Sequence, residues 1–66
     1  MAELKMSVED ARRYLAGQAI ADLKMDRLYG AEIILTTGQK IVIELDEDGG
    51  GALFFEFENG LKFRIR

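Results

Sequence analysis

The chain of 66 residues contains no cysteine, histidine, proline or tryptophan, and Ser7 is its only serine. Without cysteine and histidine it has no disulfide, no thiolate nucleophile and no imidazole base or metal ligand. Ser7 is accounted for as a helix N-cap and has no histidine to activate it. We therefore expect a protein that is not an enzyme, with no catalytic residue, no cofactor and no metal site.

Long apolar stretches and a clustered basic face are also missing. No segment approaches the about 20 apolar residues of a membrane span, and the N-terminus lacks the apolar core of a signal peptide. The net charge is -3, and residues 31–66 carry seven acids against four bases. Binding to phosphate backbones needs the opposite charge pattern. We expect a soluble cytoplasmic protein that binds neither nucleic acid nor membrane.

The length and composition indicate one small domain spanning residues 1–66. Apolar residues make up 48% of the chain and charged residues 32%, which is typical of a compact fold rather than a disordered segment. A domain of this size buries little surface, and no disulfide or metal stabilises it. Its stability must come from packing or from oligomerisation.

The first strong local pattern predicts a short helix that begins after Ser7. Asp10, three residues after Ser7, is placed to reach back in the manner of a capping box, and Gly17 is a natural residue to follow a helix that ends near Ala16. An apolar stripe at helical spacing is expected to face a sheet, and it contains Val8, Ala11 and Leu15.

Residues 18–27 fit two interpretations. As a strand, apolar and charged residues alternate from Ala21 to Asp26, as in a half-buried strand. As a helix, Ala19 and Leu23 would continue the stripe, but Asp22 and Asp26 would then fall on its buried side. We favour the strand, followed by a turn at Asp26 to Gly30 with Leu28 and Tyr29 packed beside it.

Residues 31–66 show four alternating apolar segments, which predict two β-hairpins. In the first, a connection at Thr37, Gly38 and Gln39 would place Leu35 opposite Ile41 and Ile33 opposite Ile43. The same register puts Glu32 opposite Glu44 and Ile34 opposite Val42 on the other face. Residues 46–51 form an acidic loop that would bring Leu45 beside Leu53.

The second hairpin carries a turn signal at Glu58, Asn59 and Gly60, with the glycine in the left-handed position. Its inward pairs would be Phe57 with Leu61, Phe55 with Phe63 and Leu53 with Ile65. On the outward face, Glu56 would lie opposite Lys62, and Phe54 opposite Arg64 in a cation–π contact. The final strand, residues 61–66, is expected to be a sheet edge guarded by charge, with a basic docking strip as the alternative.

These elements predict an α+β fold with one N-terminal helix packed on a four- to five-stranded antiparallel β-meander. The seven glycines are compatible with a strongly curved sheet. The sequence therefore allows two architectures, an open sheet or a small barrel closed around the helix stripe.

The predicted function is that of a non-enzymatic protein-interaction module, a small accessory or inhibitory protein that binds a protein partner or itself as a homodimer. The candidate interface is an outward-facing stripe that consists of Ile34, Val42, Phe54 and Arg64. The alternative is a small-ligand or cation-binding domain that uses the acidic loop at residues 44–51 with the Glu32/Glu44 pair. That loop begins like a calcium loop, but Phe55 stands where a bidentate carboxylate is needed.

Overall fold

The computed structural model describes residues 3–26, 30–46 and 48–66. One helix and six strands follow each other in the order β1 (Lys5–Met6), α1 (Val8–Leu15), β2 (Ile20–Asp26), β3 (Gly30–Leu35), β4 (Lys40–Leu45), β5 (Gly51–Glu56) and β6 (Lys62–Ile65). The fold is α+β and dominated by its sheet.

The six strands form one open mixed sheet in the order β1-β6-β5-β4-β3-β2. Strands β2 to β6 make the expected antiparallel meander, and β1 adds a parallel pair with β6. The prediction of a purely antiparallel sheet of four or five strands was therefore wrong in strand number and in one pairing. Because β1 and β2 lie at opposite edges, the sheet is not closed into a barrel.

Strand β1 is the element that the sequence pattern did not reveal. Leu4 accepts a hydrogen bond from the Arg64 amide at 2.8 Å, and Met6 accepts one from the Arg66 amide at 3.0 Å. Met6 lies opposite Ile65 and is buried. The last strand is therefore covered by β1 and is not the exposed edge that its charges indicated.

Helix α1 begins and ends where its caps predict. The Ser7 Oγ accepts a hydrogen bond from the Asp10 amide at 3.0 Å, which satisfies one of the free N–H groups of the first turn. Gly17 takes a left-handed φ of 78° directly after the Ala16 C-cap.

The side of α1 that contacts the sheet differs from the predicted stripe at one position. Ala11 is buried and Leu15 packs against the core, as expected, whereas Val8 is 52% exposed. Tyr14 makes the additional contact through its ring. Met6, held in β1, lies in the same buried cluster as Ala11.

The C-terminal end of α1 is fixed to the turn between β3 and β4 by Gln18. Its Nε2 donates to Gln39 Oε1 at 2.6 Å, and its Oε1 accepts from Thr37 Oγ1 at 2.7 Å. The same Nε2 also donates to the Tyr14 carbonyl group. This amide therefore sets the position of the helix over one end of the sheet.

Residues Ile20–Asp26 form strand β2, which confirms the strand interpretation over the helical one. The expectation of half-burial was wrong, because all seven residues of β2 are exposed. Asp26 pairs with Gly30 across the predicted turn. The expected packing of Leu28 and Tyr29 lies outside the described residues.

The first hairpin has a register two residues away from the predicted one. Ile33 lies opposite Ile41, and the Leu35 amide donates to the Gln39 carbonyl at 2.8 Å. Gly38, at φ 90°, must occupy the last position of the three-residue loop, since only that position needs a left-handed residue. The loop therefore consists of residues 36–38 rather than 37–39.

The second hairpin has the predicted register. Phe55 pairs with Phe63 and Leu53 with Ile65, and the Phe57 amide donates to the Leu61 carbonyl at 2.8 Å. Gly60, at φ 94°, is the last loop residue here too. The acidic connection before it differs from the expectation, because Leu45 lies opposite Gly51 rather than beside Leu53.

Candidate interaction surface

The sheet has an inner face, on which α1 lies, and an outer face, which carries the stripe proposed from the sequence. Val42, Phe54 and Arg64 lie in one row across β4, β5 and β6. Ile34 lies in the next row opposite Lys40, because the shift of the first hairpin separates it from Val42. All four stripe residues are half-buried.

Charged side chains run between these apolar residues on the outer face. Lys40 Nζ lies 3.4 Å from Glu32 Oε1 and 3.6 Å from Glu56 Oε2. Arg64 Nη1 lies 3.8 Å from Glu3 Oε2. A partner that covered this face would have to desolvate these ion pairs, which costs free energy that new contacts must offset.

Lys62 is the central cation of the outer face. Its Nζ lies 4.4 Å from the centroid of the Phe54 ring and 2.8 Å from Glu44 Oε2. The cation over Phe54 is therefore Lys62, not Arg64. Lys62 lies opposite Glu56 in the sheet, as predicted, but its ammonium reaches Glu44 while Lys40 contacts Glu56. The side chain covers one side of the only aromatic residue in the proposed stripe.

The proposed acidic pair does not form, because the first hairpin has the shifted register. Glu32 lies opposite Val42, and Glu44 lies between Gly30 and Ala52. In the acidic connection the Asp46 amide donates to the Gly50 carbonyl at 2.8 Å. Within residues 3–26, 30–46 and 48–66 there is no group of three acidic side chains arranged to hold a metal ion.

The inner face carries a continuous apolar area that α1 does not cover. We call it the uncovered face and define it by seven residues: Leu23, Met25, Ala31, Ile33, Ile43, Leu45 and Leu53. The exposed fractions are 73% for Met25, 55% for Leu23, 52% for Leu45 and 45% for Leu53. The other three residues are half-buried. All seven side chains are apolar.

The strand register makes this area continuous. One row runs from Met25 through Ala31 and Ile43 to Leu53. Leu23 lies opposite Ile33 in the neighbouring row. Side chains directly opposite each other on paired strands have Cβ atoms about 5 Å apart. The exposed residues therefore form one patch rather than isolated apolar positions.

The size of the helix explains why this half of the sheet is left open. Eight residues make a helix about 12 Å long and about 10 Å wide, whereas six strands span about 24 Å. The helix packs against the aromatic residues Phe55, Phe57 and Phe63, which lie on one half of the sheet. The sequence interpretation assigned the whole inward face to the helix, and this comparison of lengths is the signal it missed.

Each of the two sheet edges has one feature that disfavours pairing with another strand. Strand β1 has only two residues. On β2 the Leu23 amide donates to the Asp22 Oδ1 of its own strand at 2.8 Å, which occupies a backbone donor. Short strands and local charge are common protections of sheet edges. The faces of the sheet are therefore better candidates for function than its edges.

In the part of the chain that the structure describes, no helix combines the length and apolar character required to cross a bilayer. The chain matches no protein-family model, and neither the curated proteins nor the solved structures include a significant match.

Proposed function

We propose that this chain is a non-enzymatic protein-interaction module, a small accessory or inhibitory protein that binds its partner through the uncovered face. The observation that carries the proposal is the apolar row from Met25 to Leu53, in which both end residues are exposed. Monomers rarely leave a contiguous apolar patch of this kind open to water. A protein partner would remove it from solvent.

The uncovered face is a better candidate than the outer stripe of Ile34, Val42, Phe54 and Arg64. Interface centres are depleted in charged residues, and the outer face carries ion pairs through Lys40, Lys62 and Arg64. The uncovered face contains no charged side chain that a partner would have to desolvate. The outer stripe remains a prediction for a weaker, more polar contact.

A binding role also fits the available chemistry. The chain has no cysteine and no histidine, and the Ser7 hydroxyl is engaged by the Asp10 amide. The cation-binding alternative remains a prediction without an observation that favours it, since the Glu32 and Glu44 carboxylates pair with Lys40 and Lys62 instead of with each other.

A photo-crosslinking amino acid incorporated at position 25 tests this proposal in cells that naturally produce the chain. Met25 is the most exposed residue of the uncovered face, so its replacement should leave the fold intact. We expect a discrete covalent adduct of the full chain after irradiation. Leu61, which is 48% exposed in the turn after β5, provides the matched control position outside the face.

The adduct should form from position 25, not from position 61, and should disappear when Leu53→Asp is added in the same chain. A chain that gave no adduct from position 25, or the same adduct from positions 25 and 61, would contradict a binding role for this face.

A further inference from the structure

The chain exposes more surface than a folded monomer of its mass should. Its accessible area is 5072 Å² at 7.4 kDa, whereas the scaling for monomeric proteins gives about 4,200 Å². The excess of about 900 Å² is close to the about 800 Å² that each partner buries in an interface of standard size. Covering an area equal to one side of a standard interface would bring the chain to the accessible area expected for its mass.

The core of the single chain is correspondingly small. Among the described residues only Met6, Ala11, Leu35 and Phe55 are buried apolar side chains. A small domain without disulfides commonly obtains further buried area by association. A second copy of the chain is always present at the concentration of the chain itself, so self-association would supply this additional buried area.

The uncovered face is also complementary to itself. A two-fold axis parallel to the strands would place the apolar row of one copy against the same row of the other, since every residue in it is apolar. Sheets packed face to face lie about 10 Å apart, similar to the thickness of a helix layer. No charge would be buried without a partner in this arrangement.

We propose that the occupant of the uncovered face is a second copy of this chain, packed sheet against sheet as a symmetric dimer. This inference rests on the proposed function and names its partner. Helix α1 stands beside the uncovered face and limits how far the second sheet can slide across the first. Its exposed Val8 would then face the β2 edge of the other copy.

Sedimentation equilibrium of the purified full chain, from micromolar to millimolar concentration, measures the association directly. We expect a reversible monomer–dimer equilibrium. Leu53→Asp, which puts a carboxylate at one end of the apolar row in both copies, opposite Met25 of the other copy in the proposed arrangement, should raise the dissociation constant by about 100-fold or more. Leu61→Asp is the matched control, because its exposed fraction of 48% is close to the 45% of Leu53. It should change the constant by less than about threefold.

Met25→Lys provides a second variant at the most exposed position of the face, and its expected effect is also a weaker dimer. In a mixed sample of isotope-labelled and unlabelled wild-type chains, intermolecular NMR contacts should link the Met25 methyl group to Leu53 or Ile43 of the other copy. Contacts between two β2 edges, or between outer-face residues, would overturn the proposed arrangement.

A chain that stays monomeric at millimolar concentration would overturn the dimer. If position 25 still gave adducts of other mass in cells, the interaction function would stand with a different partner. If the chain were monomeric and position 25 gave no adduct, both proposals would fail. An adduct of twice the chain mass together with a wild-type dimer would support both.

Discussion

Gly30 lies so close to the backbone of Ile43 that a Cβ atom on Gly30 would sit 1.8 Å from the Ile43 carbonyl oxygen. Gly30 also has a φ of 125°, which L-residues with side chains rarely adopt. Gly30 begins β3 at the end where β2, β3 and β4 lie side by side. This contact therefore sets the distance between β3 and β4 beneath one part of the uncovered face.

Gly30→Ala should lower the free energy of unfolding by about 3 kcal/mol or more, because the added carbon meets backbone that cannot rotate away. Gly49→Ala is the matched control, since Gly49 has a φ of 84° but open space around its Cβ position. It should cost only about 1 kcal/mol. Urea denaturation measures both, and equal losses for the two variants would show that the contact with Ile43 is not decisive.

Tyr14 holds the helix on the sheet through two rings, with centroids 5.7 Å from that of Phe55 and 5.1 Å from that of Phe57. Tyr14→Ala should therefore lower the free energy of unfolding by about 2 kcal/mol. Arg13→Ala is the control, because this side chain is 80% exposed and its pair with Asp10 is long, at 3.8 Å.

Thermal unfolding followed by circular dichroism gives the comparison. The Arg13 variant should remain within about 0.5 kcal/mol of the parent chain. A Tyr14 variant as stable as the Arg13 variant would mean that the ring contacts do not fix the helix.

Lys62 couples two kinds of interaction on the outer face, a cation–π contact with Phe54 and an ion pair with Glu44. Lys62→Ala should lower the free energy of unfolding by about 1 kcal/mol, because both contacts are partly exposed. Lys62→Met keeps an apolar stem over Phe54 and removes only the charge, so its loss should be smaller.

The same urea titrations at low and high salt separate the two terms. Salt should reduce the difference between the parent chain and Lys62→Met, because it screens the ion pair with Glu44. A difference that does not change with salt would indicate that packing of the stem, and not the charge, accounts for the effect.

Most of the local structure follows from the sequence. The side-chain contact of Ser7 and the left-handed φ of Gly17 fix both ends of α1 within one turn. The alternation of apolar and polar residues fixes which residues of each strand share a face. This assignment is correct even in the first hairpin, where the predicted register was wrong, because a shift of two residues keeps every side chain on its face. The register of the second hairpin was predicted correctly, since Gly60 stood at the end of its loop and two faces agreed on one register.

The candidate site was predicted less well. The alternation placed Ile34, Val42, Phe54 and Arg64 together on the outer face, and the structure keeps them there. It could not show that Lys40 and Lys62 would interleave charges among them. Those side chains reach across strands, and their positions depend on which strands are neighbours.

The sequence by itself determined the helix caps, the strand faces and the chemistry that the chain lacks, because each depends on residues only a few positions apart. Only the tertiary structure decided that β1 pairs with β6, since Met6 and Ile65 are separated by nearly the whole chain. It also decided how much of the inner face α1 covers. That coverage depends on the width of the assembled sheet relative to one short helix, and it leaves Met25 and Leu53 on the surface.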